Sequence, residues 1–212
     1  MSAFPQPLAG IAAPLLRDNI DTDTIIPSRE MKSTGRTGLA DGMFAPWRYT
    51  DADSRTENPD FALNQHAFRG AAIIAAGRNF GCGSSREHAV WALCEYGVRA
   101  IIAESFAPIF RANCIRNFIL PVALDRAAIE AIAGRAVTID LAARTLICGD
   151  DTHPFALETE AHEMLTHGLD VIDLTLQHAT AIAAWTAADR IARPWVYDLP
   201  ARPSPAQDAA CP

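Results

Sequence analysis

A glycine-rich segment between an apolar run and a helical pattern constrains the fold of this chain more than any other feature. The run from 71 to 76 is short, apolar and rich in Ile, which is typical of a buried strand. Residues 84–96 carry apolar side chains at helical spacing, and Gly97 follows as a candidate left-handed cap. The three glycines of 77–83 lie between them. The sequence therefore predicts a strand, a glycine loop and a helix, in that order.

Polar groups gather where this loop meets the predicted helix. The first turn of a helix leaves backbone N–H groups unpaired, and loop glycines let a ligand approach them closely. Ser84 and Ser85 add hydroxyls, while Arg86 adds a planar cation that fits a carboxylate. One interpretation is therefore an anion site. The other is structural, because Ser84 and Glu87 have the spacing of a capping box, although capping requires no cation at Arg86.

Known phosphate loops and nucleophile motifs do not match this segment. It lacks the Gly-Lys-Ser/Thr ending of a nucleotide P-loop and the third glycine of a dinucleotide fingerprint. It also lacks a serine flanked by glycines at the spacing of a nucleophile elbow. A Cys82 thiolate near a helix start remains an alternative nucleophile, although no histidine is obviously placed to pair with it.

The segments around the loop continue the pattern of an α/β fold. We predict strands at 10–16, 99–104 and 119–124, and a helix that Ser105 caps and that runs through Arg116. Alternation of strands and helices predicts a parallel core. The glycine loop then lies at the carboxyl end of its strand, where open α/β sheets bind ligands.

The remaining chain adds further elements and a tail. They are a polar loop at 17–27, a short helix at 125–135, strands at 137–141, 145–148 and 154–157, a helix at 160–167 ended by Gly168, and a helix at 174–192. In that last helix we expect Leu176, Ile182 and Trp185 to pack closely. Residues 193–212 contain five prolines and no apolar period, so we expect a disordered tail after a domain spanning 1–192.

Charge and composition narrow the class of protein. The chain has 212 residues, 50% apolar and 20% charged, with a formal net charge of −7, which argues against nucleic acid as the partner. No apolar run reaches membrane length. Five cysteines without a Cys-x-x-Cys pair give no metal framework and favour a reducing compartment, so we expect a cytoplasmic protein.

Two further segments resemble metal-binding patterns, and a third resembles a substrate-binding loop. Asp21 and Asp23 alternate like calcium ligands, but the distal Glu is missing. His162 and His167 are five residues apart rather than the four of a zinc-binding helix. The loop 28–49 is rich in glycine and arginine, so it either borders an anionic substrate or is a solvated basic loop.

The long motif 81–89, together with 97–110 and 120–122, resembles the swivel domain of the aconitase superfamily. Within it, the chain looks like the small subunits of the leucine-pathway isomerases, over roughly residues 8 to 190. The resemblance implies an α/β swivelling domain with a mostly parallel central sheet and a C-terminal helical extension. It departs from the family only in the proline-rich tail.

The resemblance also implies an activity and a set of site residues. The expected enzyme is a hydro-lyase that interconverts 2-isopropylmalate and 3-isopropylmalate through the unsaturated 2-isopropylmaleate. The expected residues are Ser84 as the base and Asp23 for catalysis, and Ser85, Arg86 and Arg36 (or Arg29) for the substrate carboxylates. No metal ligand is expected in this chain.

A partner follows from the same resemblance. The family places a [4Fe-4S] cluster in a large subunit, and this chain lacks the cysteine set to hold one. We therefore expect the isolated chain to be inactive. Two alternatives remain: the small subunit of a sister hydro-lyase acting on citramalate or homoaconitate, and a non-catalytic module that binds dicarboxylates.

Overall fold

The computed structural model describes residues 3–31, 35–51 and 53–197. By its contacts the chain divides into two compact units, of which the first ends at Val171 and the second begins at Ile172. The boundary expected after residue 192 stays a prediction, as does the disordered tail, because residues 198–212 lie outside the described part.

Nine strands are found in the described residues. They are β1 (Leu8–Leu15), β2 (Tyr49–Asp51), β3 (Thr56–Glu57), β4 (Ile73–Ala76), β5 (Ala100–Ala103), β6 (Leu120–Ala123), β7 (Ala136–Asp140), β8 (Thr145–Cys148) and β9 (Asp151–Pro154). Seven of them form one sheet in the order β6-β5-β4-β1-β7-β8-β9, while β2 and β3 form a separate hairpin. The strands predicted in the α/β part are confirmed within two residues as β1, β4, β5 and β6.

The sheet is parallel on one side of β1 and antiparallel on the other. β1 pairs in parallel with β4, which continues in parallel to β5 and β6. β7, β8 and β9 follow β1 as antiparallel neighbours, so five of the seven strands point the same way. The burial pattern explains the difference: β4 and β5 are buried along their whole length, whereas β7 and β8 alternate between buried and more exposed residues.

Six helices belong wholly to the first unit. They are α1 (Thr22–Ile25), α2 (Ala45–Arg48), α3 (Glu87–Tyr96), α4 (Pro108–Arg116), α5 (Arg126–Ile132) and α6 (Thr159–His167). Gly97 ends α3 at φ 112° and Gly168 ends α6 at φ 67°, which confirms both predicted left-handed caps.

Several predicted boundaries are wrong for physical reasons. Residues 17–27 contain the one-turn helix α1, because the Asp21 carboxylate caps it by accepting from the Thr24 N–H at 2.6 Å. The strand predicted at 154–157 lies earlier, as β9. Phe155 and Leu157 are apolar because they are buried in the core, not because they belong to a strand.

Ser105 does not cap the helix that follows it. The residue before α4 is Ala107, and the Ser105 hydroxyl instead accepts from the Asn79 N–H at 2.8 Å. The serine is therefore part of the contact between the glycine loop and the segment after β5.

The C-terminal helical region differs from the single helix predicted at 174–192. It contains α7 (Val171–Leu176) and α8 (Ala179–Ala192), followed by a 3-10 turn at Pro194–Val196. The Asp189 carboxylate accepts from Arg193 and Tyr197 at 2.6 and 2.7 Å, which fixes this turn against α8. No residue of either helix is buried, and the close packing expected of Leu176, Ile182 and Trp185 stays a prediction.

The glycine loop between β4 and α3 lies directly on α4. Phe80 is fully buried, and its ring centroid is 5.4 Å from that of Phe110. Gly81 has a φ of +75°, and a Cβ atom at this position would overlap the Phe110 ring. Close approach and left-handed backbone both require glycine here.

We predict that Gly81→Ala destabilises the chain more than Gly70→Ala. Gly70 has a similar φ of +73° but no described atom within 4 Å of its Cβ position, so its substitution costs only left-handed strain, about 1 kcal/mol. Gly81→Ala adds overlap with Phe110, for a total loss of about 2–4 kcal/mol in the free energy of unfolding. Urea denaturation of both variants measures the difference, and equal losses would contradict this packing.

Candidate active site

The glycine loop runs alongside the segment that follows β1. Four backbone hydrogen bonds of 2.7–3.1 Å join the two segments, from Gly77 to Arg17, from Asn19 to Arg78, from Gly81 to Ile20 and from Thr22 to Cys82. Because β1 and β4 are parallel neighbours, this contact extends their pairing beyond the carboxyl ends of both strands. It lies at the carboxyl ends of parallel strands, the end of the sheet at which α/β folds place ligands.

The other side of the loop is tied to the segment after β5. Phe80 donates its N–H to the Ser105 carbonyl at 3.0 Å and accepts from the Ala107 N–H at 2.9 Å. The loop is thus held on both sides by its backbone, which leaves its side chains from Ser84 onward to face the cleft.

A cleft of about 180 Å³ opens at this position. Its polar wall contains Ser84, Ser85 and Arg86, and Thr22 and Asn113 also line it. Its apolar wall is formed by the residues from 107 to 110 at the start of α4. The structure therefore brings three of the five predicted site residues to one surface.

Ser84 does not act as a helix cap. α3 begins at Glu87, the residue before it is Arg86, and no side chain caps the helix. Glu87 instead accepts a hydrogen bond from Asn117 at 2.8 Å. The capping-box interpretation is wrong because the loop's tertiary contacts hold residues 84–86 outside the helix, and Ser84 is left exposed.

Thr22 contacts Ser84 closely. Its hydroxyl donates to the Ser84 carbonyl at 3.0 Å, and the two hydroxyl oxygens are 3.3 Å apart. Thr22 is only 1% exposed, so it orients the Ser84 hydroxyl from a fixed position. Sequence reasoning missed Thr22 as a site residue, although it lies between Asp21 and Asp23 in the polar segment after β1.

Asp23 contacts Arg86. The carboxylate of Asp23 lies 2.5 Å from Nη1 of Arg86, and the Ser28 hydroxyl accepts from the same nitrogen at 2.9 Å. In the described part of the chain these contacts use one nitrogen of the guanidinium group, so Nη2 and Nε remain available to a ligand. Ser28 and Asn113 were also missed, because no local pattern places them beside the loop.

Arg36 is not at this cleft. Its guanidinium carbon lies 5.0 Å from the centre of the Trp91 ring, in a separate cavity. The alternative, Arg29, is exposed and 3.6 Å from Glu30. Neither arginine lines the cleft, so this arrangement does not support a substrate contact for either, and the assignment remains a prediction.

Cys82 is a poor candidate for a nucleophile. Burial raises the pKa of its thiol, and the neighbouring Asp21 carboxylate raises it further. Both effects favour the protonated thiol over the reactive thiolate. The alternative based on Cys82 therefore has no support from its surroundings.

Metal-binding alternatives also lack a site in residues 3–31, 35–51 and 53–197. No group of three or more His, Cys, Asp or Glu side chains there could hold an ion. Asp21 caps α1, and a ring nitrogen of His162 lies 3.2 Å from the Leu141 carbonyl. The described cysteines are free thiols, of which Cys114 and Cys148 are buried. These residues do not fit an iron-sulfur cluster, which needs a set of converging thiolates.

An ion-pair network supports the base of the loop. Asp18 contacts Arg126 at 2.5 Å and Arg78 at 3.1 Å, and Arg126 also contacts Glu104 at 2.7 Å. Asp18 additionally accepts from the Arg78 backbone N–H at 3.1 Å. The network therefore connects the segments after β1, β4, β5 and β6.

Two protein-family models match the chain. The aconitase C-terminal domain model matches residues 4–127, and the model for the C-terminal domain of the 3-isopropylmalate dehydratase small subunit matches residues 172–198. In the described part of the chain, no helix has the length and apolar character needed to cross a membrane. The fold and the first match define the class of protein, an aconitase C-terminal domain.

Curated relatives are similar over most of the chain. The 3-isopropylmalate dehydratase small subunit of Cupriavidus necator is 52% identical over 197 residues, covering 89% of this chain and 95% of the relative. The protein of the same name from Rhodospirillum centenum is 47% identical, with coverages of 89% and 96%. The chain belongs to the family of 3-isopropylmalate dehydratase small subunits.

A solved structure agrees with this assignment. A crystal structure of 3-isopropylmalate dehydratase (leuD) from Methanocaldococcus jannaschii has a TM-score of 0.63 and 28% sequence identity to this chain. The match covers 85% of this chain and 99% of the other. The swivel-type fold predicted from the sequence is thereby confirmed.

We predict that Asp18→Asn lowers the denaturation midpoint at pH 7, and that the loss shrinks in acid. The hydrogen bond from the Arg78 backbone and the contacts with Arg126 hold the pKa of Asp18 below its usual value of 3.8. A lowered folded-state pKa gives stability that is present above the unfolded pKa and lost as the pH falls through the folded one. Thermal denaturation between pH 7 and pH 2 measures this, with Asp60→Asn as a surface control. A loss independent of pH would contradict the network's role.

Proposed function

We propose that this chain is the small subunit of a 3-isopropylmalate dehydratase, a hydro-lyase that interconverts 2-isopropylmalate and 3-isopropylmalate through 2-isopropylmaleate in leucine biosynthesis. The observation that carries the proposal is the cleft in which Ser84, Ser85 and Arg86 converge, in a chain of this family. The apolar wall formed by residues 107–110 suits a branched alkyl substituent.

The reaction requires a base beside carboxylate-binding groups. One proton leaves a carbon and hydroxide leaves its neighbour, and water is then added in the opposite sense. We assign the base to Ser84, whose hydroxyl is exposed in the cleft and is not engaged as a helix cap. Rotation of the Thr22 O–H away from the Ser84 carbonyl would let it donate to the Ser84 hydroxyl oxygen, 3.3 Å away, once that oxygen has lost its proton.

The start of α3 is insufficient by itself to produce such a base. A helix N-terminus contributes about 0.3–2 kcal/mol, which shifts a pKa by roughly 1.5 units at most. A serine hydroxyl ionises far above neutral pH, so the shift must be completed by Arg86, by further donors and by exclusion of water. The open cleft of this chain requires another surface to exclude that water.

Ser85 and Arg86 are assigned to the substrate carboxylate. The Asp23 and Ser28 contacts hold Arg86 by one nitrogen and direct the remaining donors of its planar fork toward a ligand. The same ion pair gives Asp23 a positioning role, beside the catalytic role predicted for it. Arg36 would contact the substrate only if its loop adopted a different conformation from the one in this structure.

The proposed enzyme is completed by a large subunit. The cleft volume of about 180 Å³ is below the roughly 300–1,000 Å³ of typical ligand sites, as expected for one wall of a site shared by two chains. The resemblance places a [4Fe-4S] cluster in that second chain, where it would supply the Lewis acid. The four described cysteines are free thiols, which agrees with the cytoplasmic location that we propose.

Replacement of the proposed base tests the mechanism directly. In the two-subunit enzyme, Ser84→Ala should lower kcat by at least about 100-fold, the usual scale for loss of a general base, with an unchanged melting temperature. Ser54→Ala, which removes an exposed hydroxyl on the β2–β3 hairpin, should retain full activity. Ultraviolet absorbance of the unsaturated intermediate follows turnover, and near-normal turnover by Ser84→Ala would refute the assignment.

Replacement of the arginine by another cation tests carboxylate binding. Arg86→Lys keeps the charge but loses the planar fork, so we expect KM to rise about tenfold. Arg69→Lys, at a surface pair with Glu57, is the matched control. An unchanged KM for Arg86→Lys would remove this residue from substrate binding.

The isolated full chain should show no turnover, and addition of the large subunit should restore it. Rates on 2-isopropylmalate and citramalate then distinguish the proposed enzyme from a sister hydro-lyase. A non-catalytic module would instead bind dicarboxylates without any partner.

A further inference from the structure

A second and larger cavity lies in the first unit, away from the cleft. Its volume is about 550 Å³, within the range of small-molecule sites. It is lined by the C-terminal half of α3, the end of α4, the loop that carries Arg36 and the N-terminal residues 3–5. None of its lining residues lines the cleft. From Glu87, the first residue of α3, to Cys94 the helix rises roughly 10 Å, at about 1.5 Å per residue.

Two cations converge on this cavity. The Arg36 guanidinium lies over the Trp91 ring, and Arg99 donates to the Cys94 and Val98 carbonyls at 3.2 and 2.9 Å. Burial raises the pKa of the Cys94 thiol to about 11, while Arg99 and Arg36 both act to lower it. Both guanidinium groups therefore lie near the Cys94 side of the cavity.

The single acidic side chain among the lining residues offsets only one of these two positive charges. Glu95 accepts three backbone N–H groups, from Gly38, Leu39 and Ala40, at 2.6–2.8 Å. Its carboxylate thus fixes the loop after Arg36 and forms no ion pair in the described part of the chain. The cavity keeps an excess of positive charge next to apolar surface.

The aromatic wall carries an unused donor. Trp91 lines the cavity, and its Nε1–H is buried without a hydrogen-bond partner among the described residues. This N–H is closed off from the cavity space, so Trp91 offers a ligand the surface of its ring. Phe4, Pro5 and Phe118 supply the remaining apolar surface.

We propose that this cavity is a second ligand site, which binds a small organic monocarboxylate with an apolar body. The carboxylate contacts Arg36 and Arg99, and the apolar body lies against Trp91 and Phe118. Guanidinium groups beside an aromatic wall are suited to this combination of charge and apolar surface. The site is contained in this chain and needs neither the large subunit nor Ser84.

Calorimetry with a matched pair of probes tests the proposal. The isolated full chain is titrated with 4-phenylbutanoate and with the uncharged 4-phenylbutanamide. We expect the carboxylate to bind about tenfold more tightly, because a charge-assisted contact is lost with the amide. Arg36→Gln and Arg99→Gln should each weaken carboxylate binding about tenfold, whereas Ser84→Ala should not change it.

Each contrary result overturns the proposal. No binding, or equal affinity for carboxylate and amide, would show that the cavity does not select an anion. Loss of binding in Ser84→Ala would place the ligand in the cleft instead. Arg36 belongs to an exposed loop, so Arg36→Gln should melt like the parent chain, and unchanged affinity in that folded variant would also refute the site.

Discussion

The backbone contact between the glycine loop and the segment after β1 is the interaction on which the rest of the site depends. Four hydrogen bonds continue the parallel pairing of β1 and β4 past the ends of both strands. They fix residues 77–82 beside residues 17–22, although the two stretches are far apart in the sequence. Since Arg86 follows one stretch and Asp23 follows the other, their ion pair is a direct result of this pairing.

The mixed sheet makes that contact possible. The parallel side contains β4 and β5, which are buried along their whole length, and the carboxyl ends of its strands present loops to one edge of the sheet. β1 pairs in parallel with β4 on one side and antiparallel with β7 on the other, and the cleft lies beyond the carboxyl ends of the parallel pair. The resulting surface supplies hydroxyls, a cation and an apolar wall, and it is open where a second polypeptide can close it.

Local patterns predict much of this structure. The apolar run at 71–76 and the glycines at 97 and 168 give β4 and the ends of two helices, because backbone preference and burial act over a few residues. The start of α3 is not predictable in this way. Ser84 and Glu87 form a good capping pattern, but contacts with Thr22 and Asn117 hold them apart from that role.

The position of Arg36 is likewise not predictable from local sequence patterns, because it depends on a contact between residues far apart in the chain. Its loop is rich in glycine and arginine, which is compatible with a substrate contact, a solvated surface or a second cavity. In the structure the Glu95 carboxylate accepts hydrogen bonds from the backbone that follows Arg36, and Arg36 lies at the second cavity. No local sequence pattern links Glu95 to this loop. The break between α7 and α8 likewise has no glycine or proline to signal it.

The central claim is that this chain presents one wall of an active site and that a large subunit supplies the other. Hydrogen–deuterium exchange of residues 17–24 and 77–88 tests it most directly, with a dicarboxylate substrate analogue added to the isolated chain and to the two-subunit enzyme. The account predicts that the analogue slows exchange in both segments of the two-subunit enzyme and leaves their exchange in the isolated chain unchanged. Equal protection by the analogue in the isolated chain would contradict it.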